Sequence, residues 1–485
     1  MNNISPAEEH KRKTPSSKQS QTSQIFTNSE TTALTSLIND WIRHERWYSG
    51  DRKNPDCEIL FTTPLDNRES VLTILLIIRS ADVQQILPLT FVPQQKSEVS
   101  ELNLSSEAAH LGTVQLGPDT YRVIDATALE AGQKALLKTA FGVNSFASTA
   151  TQLLTNKLRG DFSTLPEISR ISKISSEQSN TSIAYHFSTP DSSGATGLML
   201  KVFRILQEGE NPDIELQVVL DRSGSNTVPK HYASVSFTNQ NITHADLLMV
   251  QEFISEATDA WQLFQQELER APSYPQEATT IRELGTLTAA IHHTLAEQLP
   301  TFEYSPQAKL IAYEHWLTQL KQAIKVAPAL QNYAEAIENI FASAVDINWP
   351  IAQRIHGDYH LGQVLRSNHG NWTALDFEGE PLKPISERTQ PSLALRDIAG
   401  MLRSFDYAAG SAELSGHPVT STRPWAEAAK QLFLEGYGPL SIPEQTLLKA
   451  LIIDKALYEV IYEATYRPRW LQIPLNGIKL LISPN

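Results

Sequence analysis

The stretch Arg354-Ile-His-Gly-Asp-Tyr-His-Leu-Gly-Gln-Val-Leu365 decides the reading of this chain. Eighteen residues after Asp358 comes Asp376, inside Leu375-Asp-Phe-Glu-Gly-Glu-Pro381. The first segment offers a carboxylate, Asp358, and an amide five residues on, Gln363. The second adds the Asp376 carboxylate, expected at a strand end. One carboxylate can orient a hydroxyl and accept its proton, while the amide and the second carboxylate can hold a divalent cation against phosphates. Phosphoryl transfer from Mg-ATP needs that set of groups. Each segment alone is a weak signal, and the two in this order are a strong one.

The five-residue step from Asp358 to Gln363 is the D-x-x-x-x-N spacing of protein kinases, and LDFEGE stands where those enzymes carry Asp-Phe-Gly. A donor-side lysine should therefore lie upstream. Lys201 is the one cation in the apolar run Leu198-Met-Leu-Lys-Val-Phe203, and Glu215 in the following helix is its expected partner, a pair that grips donor phosphates. A lysine snorkelling from an edge strand reads equally well from this segment alone. The polar stretch Ser175 to Ser182, glycine-free, is either a plain hairpin or a phosphate-facing turn, with Ser179, Asn180, Thr181 and Ser182 as donors. Gln251, Glu252 and Phe253 occupy the connector between lobes, where main-chain groups meet adenine.

The chain is 485 residues long, more than one core usually serves, so two or three subdomains are expected. With 41% hydrophobic and 19% charged residues it reads as soluble and globular. The net charge of -14 argues against nucleic acid or an anionic membrane as the main partner. The single cysteine, Cys57, has no intramolecular partner, which fits a reducing, cytoplasmic setting. The longest apolar run, Val71 to Ile78 broken only by Thr73, is far short of the roughly 20 residues that span a bilayer. No export signal follows Lys11-Arg12-Lys13.

Composition and periodicity divide the chain into a polar tail over residues 1–30, expected to be disordered, and a small α/β cap over 31–142. A β-rich nucleotide lobe over 143–254 and a mainly helical lobe over 255–485 follow. Strands are expected at 70–78, 84–92, 120–123, 168–174, 182–187, 197–203 and 249–254, with a helix at 128–141. Asn211-Pro212 should cap and start a helix, and Ser441-Ile-Pro-Glu444 should open one running to Tyr466. The fold class is α+β, bilobal, with an N-terminal cap.

With these residues in hand the chain resembles the bacterial maltokinases. The segments that carry the likeness run from Arg46-Trp-Tyr-Ser-Gly50 through LKVFR, ENPDIE, VQEFI, RIHGDYHLGQVLR, LDFEGEP and LRDIAGMLRSFDYA to DKALYEVIYEATYRPRW. The resemblance implies a protein-kinase-like fold related to aminoglycoside phosphotransferases. It also implies ATP and Mg2+ as cofactors and maltose as acceptor, with maltose 1-phosphate feeding α-glucan or glycogen synthesis, and a monomer. Residue by residue it implies Asp358 as base, Gln363 and Asp376 as magnesium ligands, and Lys201 with Glu215 as the phosphate-positioning pair. The polar tail, the insertion from Ser188 to Thr196, and Tyr48-Ser49 with Asp51-Arg-Lys in the cap depart from the family pattern.

On the last long helix Asp454, Tyr458, Tyr462 and Tyr466 recur at four-residue spacing beside Lys455, Glu459, Glu463 and Arg467. Tyrosines beside carboxylates can bind a sugar, or can simply pack on the domain. The family resemblance favours a disaccharide site with Trp470 nearby, drawing on Tyr458, Glu459, Tyr462, Glu463 and Arg467, joined by His360 and Glu378. Arg396-Asp397 is expected to tie the catalytic loop to the lobe, and Arg388 and Arg403 to be surface or ion-paired. His292 is expected as a dipole partner at a helix end. His356 and His360, with glycines between and after them and no third ligand, do not read as a zinc pair. The competing functions are a kinase acting on glucosamine or another small sugar, in which Glu459 or Glu463 would meet an amino group, and a non-catalytic pseudokinase.

Overall fold

The computed structural model describes residues 25–68, 71–94, 109–143, 153–174, 180–239, 242–380 and 383–482. Most of the expected polar tail, together with Ser70, the loop residues including Ser179, and Pro381, lies outside the described residues.

Helix α1 (Asn28–Ile42) starts inside the expected tail because Thr27 and Glu30 form a reciprocal capping box there, and it buries Leu34, Ile38 and Trp41. Strands β1 (Cys57–Arg68), β2 (Val71–Ser80), β3 (Val83–Pro93), β4 (His110–Leu116) and β5 (Asp119–Asp125) form an antiparallel sheet in the order β1-β2-β3-β5-β4, followed by α2 (Glu130–Ala140). Ile74, Leu76 and Ile78 of β2 join the core shared with α1, and Leu75 and Ile77 join the core shared with α2 and the next unit. A strand buried on both faces has no solvent side to mark, which is why β2 reads as a continuous apolar run.

The second unit holds β6 (Leu153–Lys157), β7 (Ile168–Ile174), β8 (Asn180–Phe187), β9 (Gly197–Phe203), α3 (Pro212–Arg222), β10 (His231–Phe237) and β11 (Ala245–Glu252). Its six strands run in the order β6-β10-β11-β9-β8-β7, which puts Lys201 on the inner strand β9, paired with Met249 of β11 and Ser182 of β8. The edge-strand alternative for Lys201 is therefore not the one the chain adopts. Asn211 caps α3 by accepting from the Asp213 amide at 2.9 Å, and Pro212 takes the first turn.

The third unit begins with β12 (Ala257–Asp259) and α4 (Ala260–Leu268), then α5 (Ala278–Gln298), α6 (Pro306–Val326) and α7 (Ala334–Val345). A short pair, β13 (Val364–Ser367) and β14 (Trp372–Ala374), joins β12 in a three-stranded sheet. The chain ends in α8 (Ile385–Arg388), α9 (Leu395–Leu414), α10 (Val419–Tyr437), α11 (Ile442–Tyr466) and α12 (Gln472–Ile482). Phe264, Phe405 and Trp425 pack ring against ring at the centre of this lobe. Each fully buried side chain of that kind contributes about 1.5–3 kcal/mol, enough in sum to hold the loops that flank β13 and β14. Among the described residues no helix is long and apolar enough to cross a membrane.

Candidate active site

Two loops hang from the small sheet: residues 352–363 before β13 and residues 375–380 after β14. They touch at a point where any side chain would be strained and crowded. Gly357 has a φ of 86°, and a Cβ there would lie 3.2 Å from the Cα of Gly379. His356 joins them further, its Nε2 donating to the Leu375 carbonyl at 2.8 Å and its ring packing on Phe377 at 4.6 Å.

Asp397, near the start of α9, clamps the first loop. Its carboxylate accepts from the amides of His356 (2.8 Å) and Gly357 (2.9 Å) and from His292 Nε2 (3.1 Å). Burial pushes its pKa up, but these donors win and hold it below the usual carboxylate value. Asp397 thus does the tying expected of it, whereas His292 is a buried partner of Asp397 and Tyr437 rather than a helix-end cation. Gly400, one turn later on α9, lies so close under the loop that a Cβ would come within 2.6 Å of the Tyr359 carbonyl.

On the donor side Lys201 Nζ stands among three carboxylates, 2.8 Å from Asp213, 2.9 Å from Asp376 and 3.4 Å from Glu378. This corrects the expected Lys201–Glu215 pair. Asp213 lies on the first turn of α3 next to β9, and its second oxygen accepts the Phe377 amide at 2.8 Å, so one residue holds both the lysine and the second loop. Glu215, two residues on, turns to Arg354 of the first loop.

Gln363 donates its amide nitrogen to Asp376 Oδ2 at 3.0 Å, so the residues expected at the cation do adjoin. Burial would raise Asp376, yet Lys201 outweighs it and keeps the acid low. Asp376 adopts a φ of 64°, left-handed for a non-glycine residue, a local cost of roughly 1–2 kcal/mol that the surrounding contacts hold in place. Asp213, Asp376 and Glu378 bring carboxylate oxygens within 4.8 Å of one another. Carboxylate and amide oxygens are the hard donors that suit Mg2+, so the residues present fit that ion.

Glu378 is a second correction. It was expected on the acceptor side, but it takes a 2.6 Å hydrogen bond from Asn180 Nδ2 and faces Lys201. Burial lifts its pKa to about 7 against the pull of Lys201. Asn180 therefore sits where a donor-site residue should, whereas Thr181 accepts from Arg204 Nε at 2.9 Å, and Ser182 is buried on β8. At the connector, the Glu252 amide donates to the Lys230 carbonyl (2.8 Å) and the Phe253 amide to the Gly197 carbonyl (3.0 Å), while Gln251 accepts from Gln217 at 2.7 Å. Those two amides are committed to the lobe itself, so the expectation that they face adenine does not hold for their N–H groups.

Asp358 opens onto two cavities. One, of about 370 Å³, is walled by Trp261, Tyr407, Trp470 and His360, with Lys455, Glu459, Arg467, Arg403 and Ser404 in its polar lining. The other, of about 560 Å³, runs between α6 and α11 and includes Tyr458, Glu380 and Arg396. Lys455 stands between them, its Nζ 3.7 Å from Asp358 and 3.5 Å from Glu380. Burial would lower this lysine, but Asp358, Glu380 and Glu459 keep its pKa above the usual value.

The tyrosine stripe divides. Tyr458 lines the larger cavity, Arg467 lines the smaller, and Tyr462 and Glu463 line neither. Glu463 is buried against Arg467 (2.6 Å) and the Tyr407 hydroxyl (3.0 Å), and Glu459 accepts from Arg403 at 2.7 and 2.9 Å. Arg403 is itself fully buried, bound also to Asp406. Neither glutamate is a free acceptor, because each faces an arginine that helical spacing along α11 alone does not reveal for Arg403. His360 Nδ1 accepts the Gly362 amide at 3.0 Å, and with His356 spent on Leu375 the two histidines do not form a metal pair.

Lys455, Asp213, Trp261 and Tyr407 were not singled out for the site from the sequence. Lys455 carried a signal, a cation on the face of α11 that holds Tyr458 and Glu459. Asp213 carried another, an acid in the first turn after Asn211-Pro212.

Residues 41–128 match the maltokinase N-terminal cap domain and residues 251–429 match the phosphotransferase enzyme family, together more than half of the chain. A glucosamine kinase of Mycolicibacterium smegmatis is 25% identical over 302 residues, 57% of this chain and 73% of that protein. A glucosamine kinase of Streptacidiphilus jiangxiensis is 25% identical over 293 residues, 56% of this chain and 66% of its own length. The solved structure of a glucosamine kinase in complex with glucosamine, ADP and inorganic phosphate superposes with a TM-score of 0.65 at 18% identity, covering 93% of this chain and 99% of that one. The likeness to that structure is one of fold. A cap of the maltokinase kind, a phosphotransferase domain and a shared two-lobed, kinase-like architecture place the chain among the maltokinase-type phosphotransferases.

Proposed function

We propose that this protein transfers the γ-phosphoryl group of ATP to the anomeric hydroxyl of maltose, giving maltose 1-phosphate and ADP. Asp358 orients that hydroxyl and takes its proton as the new O–P bond forms and the bond to the β-phosphate oxygen breaks. Lys201, steadied by Asp213, binds the donor phosphates. Gln363 and Asp376 would hold Mg2+, which supplies charge neutralisation at the phosphates when bound. Closure of the lobes around the Glu215–Arg354 contact excludes water that would otherwise take the phosphoryl group.

The observation that carries the acceptor choice is the lining of the 370 Å³ cavity beside Asp358. Its volume lies in the range of roughly 300–1,000 Å³ common for small-molecule sites. Aromatic faces from Trp261, Tyr407 and Trp470 suit the CH faces of a sugar. Arg403 and Arg467 engage Glu459 and Glu463 of α11, and Lys455 faces Asp358 and Glu380, so apart from the base no carboxylate of this cavity is left for an ammonium group. A neutral sugar is favoured over an amino sugar on that ground.

The second reading, a glucosamine kinase, is supported by the names of the relatives at 25% identity. An acceptor panel with ATP and Mg2+, read by phosphorus NMR, decides between them and reports the position phosphorylated. Turnover with maltose well above that with glucosamine supports the proposal, and the reverse order overturns it. Formation of ADP that depends on the sugar excludes a pseudokinase. The product, a sugar activated at C1, suits a reaction that transfers the sugar onward to a growing α-glucan, and a cytoplasmic monomer would suffice for it.

A further inference from the structure

Among the described residues the cap has no group in either cavity beside Asp358, yet it is sewn into the donor lobe immediately after the lysine strand. The Ile86 amide donates to the Arg204 carbonyl at 2.8 Å and the Leu206 amide to the Gln84 carbonyl at 2.9 Å, so β3 of the cap pairs antiparallel with the segment that follows β9. Arg204, three residues after Lys201, is fully buried. Its guanidinium lies 4.5 Å from the Trp47 ring centroid, 3.0 Å from Asp125 Oδ2 and 3.1 Å from Thr127 Oγ1, all in the cap. On its lobe side Nε donates to Thr181, the neighbour of Asn180, and Asn180 holds Glu378. Gln207, further along the same segment, binds Arg388, which donates to the Glu378 carbonyl at 2.8 Å. Two routes therefore lead from the cap junction to Glu378 beside Lys201, one to its carboxylate and one to its carbonyl.

We propose that Arg204 is a positioning residue through which the cap sets the geometry of the donor site, so that nucleotide binding and cap ordering are coupled. This rests on the reading of Lys201 and its carboxylates as the nucleotide site. The physical basis is the cost of a buried guanidinium. With its planar donors divided between Asp125, Thr127 and Thr181, it can satisfy all of them only when cap and lobe keep one relative placement. Strands β8 and β9 then inherit that placement, and Lys201, Asn180 and Glu378 with them. If the cap tightens the donor site, the nucleotide must tighten the cap in return.

Hydrogen exchange on the full wild-type chain tests that reciprocity. Adding ADP with Mg2+ should slow exchange at the amides of Ile86, Thr127 and Leu206 as well as around Lys201. Protection around Lys201 with the cap amides unchanged overturns the proposal. No protection anywhere sinks the nucleotide reading, and this proposal with it. Asp125→Asn and Trp47→Leu change only the cap. In folded protein each should weaken ADP binding by about fivefold or more while leaving the KM for sugar unchanged, and Arg204→Lys should fall between them and the wild type. A lowered melting temperature with ADP affinity intact would show the contact to be structural and nothing more.

Discussion

Glu215 reaches across the lobe boundary to Arg354 of the catalytic loop, while Asp213, two residues earlier on α3, holds Lys201 at 2.8 Å. The two carboxylates of one helical turn thus divide two tasks, and their substitutions should separate. Asp213→Asn removes the charge beside Lys201 and leaves one acceptor oxygen where Lys201 and the Phe377 amide now use two, and should lower kcat while raising the KM for ATP. Glu215→Gln should leave the KM for ATP nearer the wild type and act mainly through lobe closure, with faster ATP hydrolysis in the absence of sugar. Steady-state kinetics with and without acceptor distinguish the two patterns.

Asp358→Asn should reduce transfer by at least about a hundredfold, the usual worth of a positioned general base, with ADP binding kept. Retained turnover would falsify the base assignment.

Lys455→Met should lower kcat by roughly threefold to fivefold, since an ion pair worth up to about 1 kcal/mol is lost beside the base. Lys455→Arg should recover part of the loss. An unchanged kcat in the Met variant would show that the 3.7 Å approach to Asp358 has no part in the chemistry.

Glu378 gives a pH test of stability without metal or nucleotide. Its folded pKa, lifted by burial to about 7, exceeds its ordinary value of 4.5, so between those two values the folded state holds a proton that the unfolded state has released. Stability contributed by protonated Glu378 is present below pH 4.5 and is lost as pH rises through 7. Glu378→Gln should flatten the fall, seen as a smaller difference in urea midpoint between pH 5 and pH 8. Parallel profiles for the two proteins would count against a raised carboxyl there.

Asp358, Gln363 and Asp376 were legible because their chemistry sits in short contiguous segments whose spacing is the geometry. Lys201 was legible for a different reason: a lone cation in an apolar strand needs partners. Which partners it finds was not legible. Asp213 and Glu215 both follow the cap at Asn211, and choosing between them requires the rotation of α3 about its axis, which packing on β9 sets and local sequence does not. The tyrosine stripe failed in a related way. On a helical wheel Glu459 pairs with Lys455 and Glu463 with Arg467; the second pair forms, but Arg403, the charge that occupies Glu459, arrives from α9. Strands β1 and β4 were missed because polar residues interrupt their apolar positions. By contrast α11 was legible end to end, since Ser441 and Glu444 mark its start and apolar spacing carries it to Tyr466.

The contact between Gly400 and the Tyr359 carbonyl gives a way to sort proteins of similar build. Any side chain at that position must lift the loop off α9, and Asp358, one residue before Tyr359, moves with it. The aromatic-walled cavity, lined in part by Tyr359, His360 and Gly400, would be reshaped, whereas the lysine strand, built on other elements, would survive such a change. A homologue with a bulkier residue in place of this glycine should therefore still bind nucleotide yet have retired as a catalyst, and this one position would separate working enzymes from silent copies before any assay is run.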